Sequence, residues 1–250
     1  MPVGELIAIV SGKGGTGKTS VSAGIATALA AAGRRVLCVD CDVGLRNLDI
    51  SLGLSDVPTL SFLEVCRGDY PISQAAVHPQ FPTLSFLTAP MNTSVSTIDT
   101  AAFSKMLHDC RPLFDYILLD APAGVDAGFR LAAAHADRCI LVTGPSPAAI
   151  RDAEHTGNLL ELMGKENVRI IVNRISKKIV SATDLTVDDV MDLAGLPLLG
   201  VVPEDLHVTL AASFGRPLLK YKPRSPAARA CRSLYDQPRH QSMCSHVISV

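Results

Sequence analysis

A glycine-rich segment near the N-terminus has the residue types and spacing of a phosphate-binding loop. Gly12, Gly17, Lys18 and Thr19 satisfy the pattern G-x-x-x-x-G-K-[ST]. Glycine lets backbone N–H groups turn onto phosphate oxygens, Lys18 is placed for the β- and γ-phosphates, and the Thr19 hydroxyl is placed for Mg²⁺. The predicted nucleotide cradle consists of Gly12, Lys13, Gly14, Gly15, Thr16, Gly17, Lys18, Thr19 and Ser20.

Lys13 is a cation that this pattern does not require, so we expect it to have a separate task. The flanking sequence supports the loop itself. The apolar run Leu6–Val10 predicts a buried parallel strand, and the alanine-rich stretch Ser20–Ala32 predicts a helix that ends near Gly33. Strand, glycine loop and helix therefore follow in the order that a phosphate site at a helix N-terminus needs.

Three carboxylates are predicted at the carboxyl ends of strands. Tyr116–Leu119 is an apolar run that delivers Asp120, which suits an acid that supports Mg²⁺ directly or through water. Asp40 and Asp42 follow a second apolar run, and their closeness to phosphate calls for a metal or a water between them. A solvated surface position explains either of these two equally well from composition, and spacing does not separate their roles.

The segment after a later strand concerns the choice of base. Val168–Val172 leads into Asn173-Arg174-Ile175-Ser176, which lacks the acid of the Asn-Lys-x-Asp arrangement that recognises guanine. Adenine is therefore the expected base.

The remaining elements alternate between strand and helix, which predicts a doubly wound, mainly parallel α/β sheet with its ligand at the strand carboxyl ends. Further predicted strands are 35–39, 84–89, 139–143, 168–172 and 198–202, and further predicted helices are 62–67, 100–110, 148–162 and 187–193.

The composition describes a globular chain with a large core. Hydrophobic residues make up 48% of the 250 residues, charged residues 19%, and the net charge is −1, which argues against a general nucleic-acid coat. The first apolar run lacks a preceding basic segment and is predicted to be a strand rather than a signal peptide. Cys38 and Cys41 have C-x-x-C spacing, but no second pair completes a zinc site, so a buried Cys38 and an incidental Cys41 are expected.

Several segments together resemble the deviant Walker A ATPases of the ParA/MinD family. Residues 13–19 resemble its phosphate loop with the extra lysine, residues 39–49 its switch I, and residues 120–124 its Walker B and switch II stretch. Residues 151–152 and 201–205 match as well. The similarity covers residues 5–235, and Gly-Leu-Arg-Asn-Leu-Asp narrows it to MinD-like members. It implies a P-loop NTPase fold of the SIMIBI type.

The resemblance implies a role for each candidate residue. Lys13 would reach across a nucleotide-sandwich homodimer to the partner's phosphates, as a cation supplied in trans. Lys18 would act in cis and Asp42 would orient the hydrolytic water. The implied metal-supporting residues are Thr19, Asp40 and Asp120, and the implied adenine contacts are Asn173, Pro203, Glu204 and Asp205.

The implied function is Mg²⁺-dependent ATP hydrolysis that controls where the cell-division septum is placed at the membrane. The resemblance implies an ATP-dependent homodimer, a MinE-like activator, a MinC-like division inhibitor, an anionic membrane surface and a cytoplasmic location with peripheral association to the inner face of the membrane. Arg151 and Asp152 lie where family members meet the activator, although a surface salt bridge explains them equally well.

Residues 226–235 resemble the last helix of the family's core domain, and the chain departs from the family after them. We expect one ATPase domain over residues 1–235 and a poorly ordered tail over 236–250, which has no stripe of large apolar groups and makes a poor interfacial anchor. The stretch 215–240 is basic and is explained equally well by anionic lipid, nucleic acid or a solvated face. Its charged residues are Arg216, Lys220, Lys222, Arg224, Arg229, Arg232 and Arg239, against Asp236.

Three other hypotheses remain. A ParA-like ATPase would bind nonspecific DNA through the basic stretch, in a salt-dependent manner and only with ATP. A metal-cluster carrier of the same fold would need cysteines near switch II, and residues 120–130 contain none. A non-catalytic regulator is disfavoured by intact Lys18, Thr19 and Asp42.

Overall fold

The strands form one sheet that brings the predicted site residues to a single edge. The computed structural model describes residues 3–176 and 186–235. The strand order is β3-β4-β2-β5-β1-β6-β7-β8, and all neighbouring pairs are parallel except β3 and β4. The strands are β1 Glu5–Ser11, β2 Val36–Asp40, β3 Ala76–Val77, β4 Leu84–Leu87, β5 Tyr116–Ala123, β6 Arg138–Thr143, β7 Val168–Ile175 and β8 Leu198–Pro203.

Helices connect these strands. In the described residues they are α1 Lys18–Ala31, α2 Leu48–Leu52, α3 Phe62–Arg67, α4 Thr100–Cys110, α5 Ala127–His135, α6 Pro147–Leu162, α7 Val187–Ala194, α8 Leu206–Ser213, α9 Leu218–Tyr221 and α10 Pro226–Tyr235. Two single 3₁₀ turns cover Ile72–Gln74 and Val95–Thr97. None of the helices in this part of the chain is long and apolar enough to cross a membrane.

Side chains of the central strand alternate between two apolar layers. Leu6, Ala8 and Val10 of β1 pack into one core cluster, and Ile7 and Ile9 pack into the other. Helices α3 to α7 cover the first cluster, and α1, α2 and α8 to α10 cover the second. A sheet buried on both faces requires apolar strands without a polar stripe, which is the pattern that the sequence shows.

The predicted α/β architecture is confirmed, and the predicted helices 62–67, 100–110 and 226–235 agree residue for residue. The helix predicted from residue 20 begins two residues earlier and ends, as predicted, near Gly33, which has φ +78°. The predictions for the tail over 236–250 lie outside the described residues.

The region after Asp120 differs from the prediction. The sequence predicts an apolar strand over 116–119, whereas β5 runs on through Asp120 to Ala123 and α5 starts at Ala127. Pro122 does not end the strand, although proline supplies no N–H for a ladder. Short helices α2, α8 and α9 were also missed, since segments of four to eight residues carry little periodic signal.

Cys38 and Cys41 are buried thiols. Cys38 and Cys41 are fully buried, and burial raises the pKa of both thiols well above the usual range. A thiol held protonated in this way is a poor nucleophile and a poor metal ligand.

One buried histidine makes the stability of the fold depend on pH. His78 is 1% exposed, its Nδ1 accepts a hydrogen bond from the Gln80 N–H at 3.0 Å, and its Nε2 lies 2.8 Å from the Leu52 carbonyl oxygen. An Nδ1 that accepts carries no proton, so Nε2–H donates and the ring is neutral. Burial, with a smaller contribution from Lys220, lowers the pKa of His78.

The free energy of unfolding should therefore fall as the pH drops below about 6.5, where the unfolded chain protonates this histidine first. Urea unfolding between pH 5 and 8 measures this dependence. The variant His78→Gln should reduce the slope, whereas substitution of the exposed His155 by Gln should leave it unchanged. Equal slopes for the parent chain and His78→Gln would contradict this assignment.

Candidate functional site

The glycine loop lies between β1 and α1, with its backbone at the N-terminus of α1. Gly15 and Gly17 have φ values of +85° and +86°, a conformation that residues with a Cβ rarely adopt. Space is limited too, because a Cβ on Gly17 would lie 2.3 Å from the Asn173 amide nitrogen and a Cβ on Gly12 would lie 2.4 Å from Thr156 Oγ1. Backbone conformation and neighbouring side chains together fix the loop.

Lys18 is held by a buried carboxylate. Its side chain is 6% exposed, and its Nζ lies 2.9 Å from Asp120 Oδ1. Asp120 also accepts hydrogen bonds from Thr19 Oγ1 at 2.8 Å and from Ser22 Oγ at 2.6 Å. The structure thus brings three predicted residues together and adds Ser22, which the sequence analysis missed. The only signal for Ser22 was a polar residue one helical turn after Lys18.

Asp40 lies beside Asp120 because the two residues are register partners in adjacent parallel strands. Both Asp40 oxygens accept backbone N–H groups, from Asp42 at 2.9 Å and from Asn47 and Leu48 at 3.2 Å each. Burial, and then the charge of Asp120, raise the pKa of Asp40 to about 6. Asp40 therefore organises the loop of residues 42–47.

Asp42 has a different environment from Asp40. It is half-buried at the rim of the site, where burial raises the pKa of its carboxyl and the Lys18 charge opposes that rise. No side-chain hydrogen bond occupies its carboxylate within the described part of the chain. Asp42 is therefore open to a new partner, whereas both oxygens of Asp40 already accept backbone N–H groups.

Lys13 lies on the outside of the loop. Its side chain is exposed and forms no ion pair or hydrogen bond with the residues that the structure describes, while its carbonyl accepts from Ser11 Oγ at 3.1 Å. Gly14 and Gly15 beside it are exposed as well. The two lysines of one loop therefore face opposite environments.

Two side chains at the end of β7 hold the phosphate loop through hydrogen bonds to its carbonyls, and together they form what we call the brace. Asn173 Nδ2 donates to the Thr16 carbonyl at 2.7 Å, and Arg174 Nη1 donates to the Gly15 carbonyl at 2.9 Å. Arg174 has φ +59°, an uncommon conformation for a residue with a side chain. The sequence analysis considered this segment only for base recognition and missed the brace. Adenine contact by Asn173 stays a prediction.

The predicted contacts at the end of β8 are partly engaged within the protein. The Glu204 N–H donates to the Ile175 carbonyl at 2.8 Å, and its side chain is exposed. Asp205 accepts from the backbone N–H groups of His207 at 3.0 Å and Ala227 at 3.1 Å. Burial opposes ionisation of Asp205, yet hydrogen bonds from Ser225 and these N–H groups lower its pKa. Pro203 ends the strand, and adenine contact by all three residues stays a prediction.

Helix α6 packs directly on the start of the loop. A Cβ on Gly12 would lie 2.5 Å from the Asp152 carbonyl oxygen, so only glycine fits between the loop and this helix. Arg151 is exposed on the same helix, and no salt bridge joins it to Asp152 within the described residues. The salt-bridge explanation of this pair therefore lacks support.

The residues present fit a nucleotide phosphate and Mg²⁺. Thr16 Oγ1 is buried without a hydrogen-bond partner among the described residues, and the positive-φ glycines leave loop N–H groups free to face an anion. Two buried carboxylates share one buried ammonium, which leaves negative charge for a cation. Within residues 3–176 and 186–235 no group of three or more His, Cys, Asp or Glu could hold a metal alone. Mg²⁺ bound through few protein oxygens and phosphate needs no such group.

Comparison with known proteins agrees with this geometry. Residues 7–218 match the family described as the CobQ/CobB/MinD/ParA nucleotide binding domain. The chain is 37% identical to the septum site-determining protein MinD of Synechocystis over 217 residues, which cover 86% of this chain and 82% of that protein.

Two solved structures are similar over most of their length. The MinC:MinD cell division protein complex of Aquifex aeolicus superposes with a TM-score of 0.84 at 35% identity, covering 92% of this chain and 93% of that one. MinD of Pyrococcus horikoshii, solved with Mg-ADP, superposes with a TM-score of 0.80 at 33% identity, covering 92% and 93%.

The brace on the loop predicts a binding defect. Arg174→Ala should weaken nucleotide binding about tenfold, because one hydrogen bond from a charged group holds the Gly15 peptide in place. Titration with a fluorescent nucleotide measures the Kd. Lys165→Ala is the matched control, since Lys165 Nζ also donates to backbone carbonyls, those of Ala134 at 2.7 Å and Ala136 at 3.0 Å, in another part of the fold. Similar nucleotide Kd values for both variants would exclude a specific role for Arg174.

Proposed function

Because this chain belongs to the CobQ/CobB/MinD/ParA family of nucleotide-binding domains, we propose that it is a molecular switch in which ATP binding causes dimerisation. It is a MinD-like, Mg²⁺-dependent ATPase that acts in division-site placement. The observation that carries the proposed switch is the contrast within one loop between buried Lys18 and exposed Lys13. We take residues 1–235 as the ATPase domain.

Binding in cis uses the buried network. A phosphate oxygen competes with Asp120 for the Lys18 ammonium, and Asp120 keeps the hydroxyl donors of Thr19 and Ser22 when it loses that partner. Thr19, Asp40 and Asp120 are the residues that would hold Mg²⁺, which neutralises phosphate charge when bound. The surrounding loop N–H groups and the α1 N-terminus stabilise the same anion.

Hydrolysis needs an oriented water and a further cation. Asp42 is the carboxylate open to a water, and the loop that carries it is tied to Asp40 through backbone hydrogen bonds. Lys13 of a second copy supplies the missing charge, because its exposed side chain finds no partner within its own described residues. In related phosphoryl-transfer enzymes a cation supplied in trans accelerates hydrolysis by roughly 10³–10⁵-fold. A lone subunit should therefore hydrolyse ATP slowly.

The partners follow from this cycle. We propose an ATP-dependent homodimer, a MinC-like partner as in the Aquifex complex, a MinE-like activator on the exposed side of α6 around Arg151, and peripheral association with an anionic membrane. The α6 position is supported by its contact with Gly12, since a partner on the outer side of the helix would press on the phosphate loop. Adenine is assigned to Asn173 and residues 203–205.

Alanine substitutions of Lys18 and Lys13 should have different effects on ATP binding and dimerisation. Lys18→Ala should abolish detectable ATP binding and should lower the free energy of unfolding by about 3–5 kcal/mol, because it leaves buried Asp120 without its counter-charge. Lys13→Ala should bind ATP with a Kd close to that of the parent chain and unfold at the same temperature, but it should stay monomeric.

Analytical ultracentrifugation with Mg-ATP and with Mg-ADP measures dimerisation, on an Asp42→Ala background that slows hydrolysis. Lys105→Ala is the control for loss of an exposed lysine, since Lys105 lies on α4 and pairs with Asp109 at 2.6 Å. A Lys13→Ala chain that dimerises on this background, and that hydrolyses ATP at the parent rate when Asp42 is intact, would refute the trans assignment.

A further inference from the structure

The arginine and the second aspartate of the stretch Asp42–Asp49 form an ion pair next to the loop that carries Asp42. Arg46 Nε lies 2.9 Å from Asp49 Oδ2, and Arg46 Nη2 donates to Thr59 Oγ1 at 2.9 Å. Asp49 is buried, and the other two side chains are half-buried. One guanidinium therefore joins the loop of residues 42–47 both to α2 and to the segment before α3. We call Arg46, Asp49 and Thr59 the loop clamp.

The backbone at Arg46 has a conformation that a residue with a side chain rarely adopts. Its φ is +40°, and Gly44, two residues earlier, has φ +97°. A left-handed backbone is costly for a residue with a Cβ, and it persists only where the surrounding contacts determine it. The two side-chain bonds of Arg46 are contacts of this kind, so the clamp supports the shape of the loop.

Both anchors of the clamp belong to well-packed parts of the fold. Asp49 lies in α2 next to Leu48, which is buried in the apolar layer under α1. Thr59 precedes a segment bound to the end of β4, where the Thr88 N–H donates to the Leu60 carbonyl at 2.9 Å. The Arg46 side chain thus ties an irregular loop to two separate elements of regular structure.

Asp42 is the site residue whose position depends on this loop. Its carboxylate makes no side-chain hydrogen bond within the described residues, so the loop backbone determines where it lies. The N–H groups of Leu45 and Arg46 approach the Asp42 carbonyl at 3.3 and 3.4 Å. Asp40 holds the two ends of the loop through the N–H groups of Asp42 and Asn47. The clamp holds the turn between those ends.

We propose that Arg46 is a positioning residue for ATP hydrolysis, which fixes the Asp42 carboxylate through the loop clamp. The inference rests on the role of Asp42 in the proposed function and identifies the group that keeps Asp42 in place. A misplacement of about 1 Å can lower the rate of a reaction about 100-fold. No ion pair or hydrogen bond joins the clamp to Lys18 or the glycine loop among the described residues. The clamp should therefore affect kcat and leave nucleotide affinity unchanged.

Arg46→Asn tests the clamp, because asparagine tolerates the left-handed backbone but cannot bridge Asp49 and Thr59. In single-turnover hydrolysis of ATP by the full chain, the rate should fall about 10–100-fold. The Kd for a fluorescent, non-hydrolysable ATP analogue should equal that of the parent chain, and dimerisation with this analogue should persist. Thr59→Val should also slow hydrolysis, whereas Thr59→Ser, which keeps the hydroxyl, should hydrolyse ATP at the parent rate.

Amide hydrogen exchange measures the same effect without hydrolysis. In the nucleotide-free Arg46→Asn chain, the amides of Leu45 and Asn47 should exchange about tenfold faster, because the loop has lost a charge-assisted bond. The amides of α1 should keep the parent rate. A merely structural role for Arg46 would accelerate exchange in the loop and in α1 alike.

Arg35→Asn is the matched control. Arg35 precedes β2, at the opposite end of the strand from Asp42, and it forms an equally short ion pair with Asp115 at 2.9 Å. This variant should keep the parent values of kcat, nucleotide Kd and exchange of the loop amides.

Three results would overturn the inference: parent rates of hydrolysis in both Arg46→Asn and Thr59→Val, a rate loss matched by an equal loss of affinity, or a rate loss caused by failure to dimerise. Asp42→Ala separates the inference from the proposed function. If Asp42→Ala is impaired and Arg46→Asn is not, only the inference is wrong. If Asp42→Ala hydrolyses ATP at the parent rate, the proposed role of Asp42 is itself wrong.

Discussion

A buried ammonium needs a buried counter-charge, and that requirement determines the design of this site. Lys18 and Asp120 lie at the centre of the molecule with their charged atoms 2.9 Å apart, and both are almost fully buried. Removing two charges from water is costly, so the pair is tolerable only with further hydrogen bonds. Thr19 and Ser22 supply those bonds from the first turns of α1. The phosphate-binding lysine is thus poised beside the acid that it would leave on binding ATP.

The sheet register extends this constraint to the surrounding loops. Because Asp40 is the partner of Asp120 in the neighbouring strand, a second carboxylate is buried where only one ammonium is available. Asp40 satisfies its oxygens with the backbone N–H groups of residues 42, 47 and 48, and so shapes the loop that carries Asp42. Arg174 and Asn173 hold the phosphate loop from one side, and α6 meets Gly12 on the other. A change in charge at Lys18 or Asp120 would therefore affect the loop of residues 42–47, the end of β7 and α6.

Most of this architecture was predictable from sequence, because apolar strands and a glycine loop are strong local signals. The residues of the cradle and the three aspartates were found on their types and spacing. The different environments of Asp40 and Asp42 were not predictable, since they depend on strand register, which spacing along the chain does not specify. Ser22 and Arg174 were missed for the same reason, because each acts through a contact more than 90 residues away in sequence. Continuation of β5 through Pro122 overrode a local rule on proline, as tertiary context often does.

The exposed lysine of the loop has no electrostatic use within the part of the subunit that the structure describes. Lys13 forms no ion pair or hydrogen bond with the described residues, so its charge contributes little to the folding of one subunit. In the proposed switch this charge acts only when a second copy brings its phosphates within reach. Nucleotide binding at Lys18 and assembly at Lys13 are then coupled through the number of subunits, and neither lysine has to change its place in the loop.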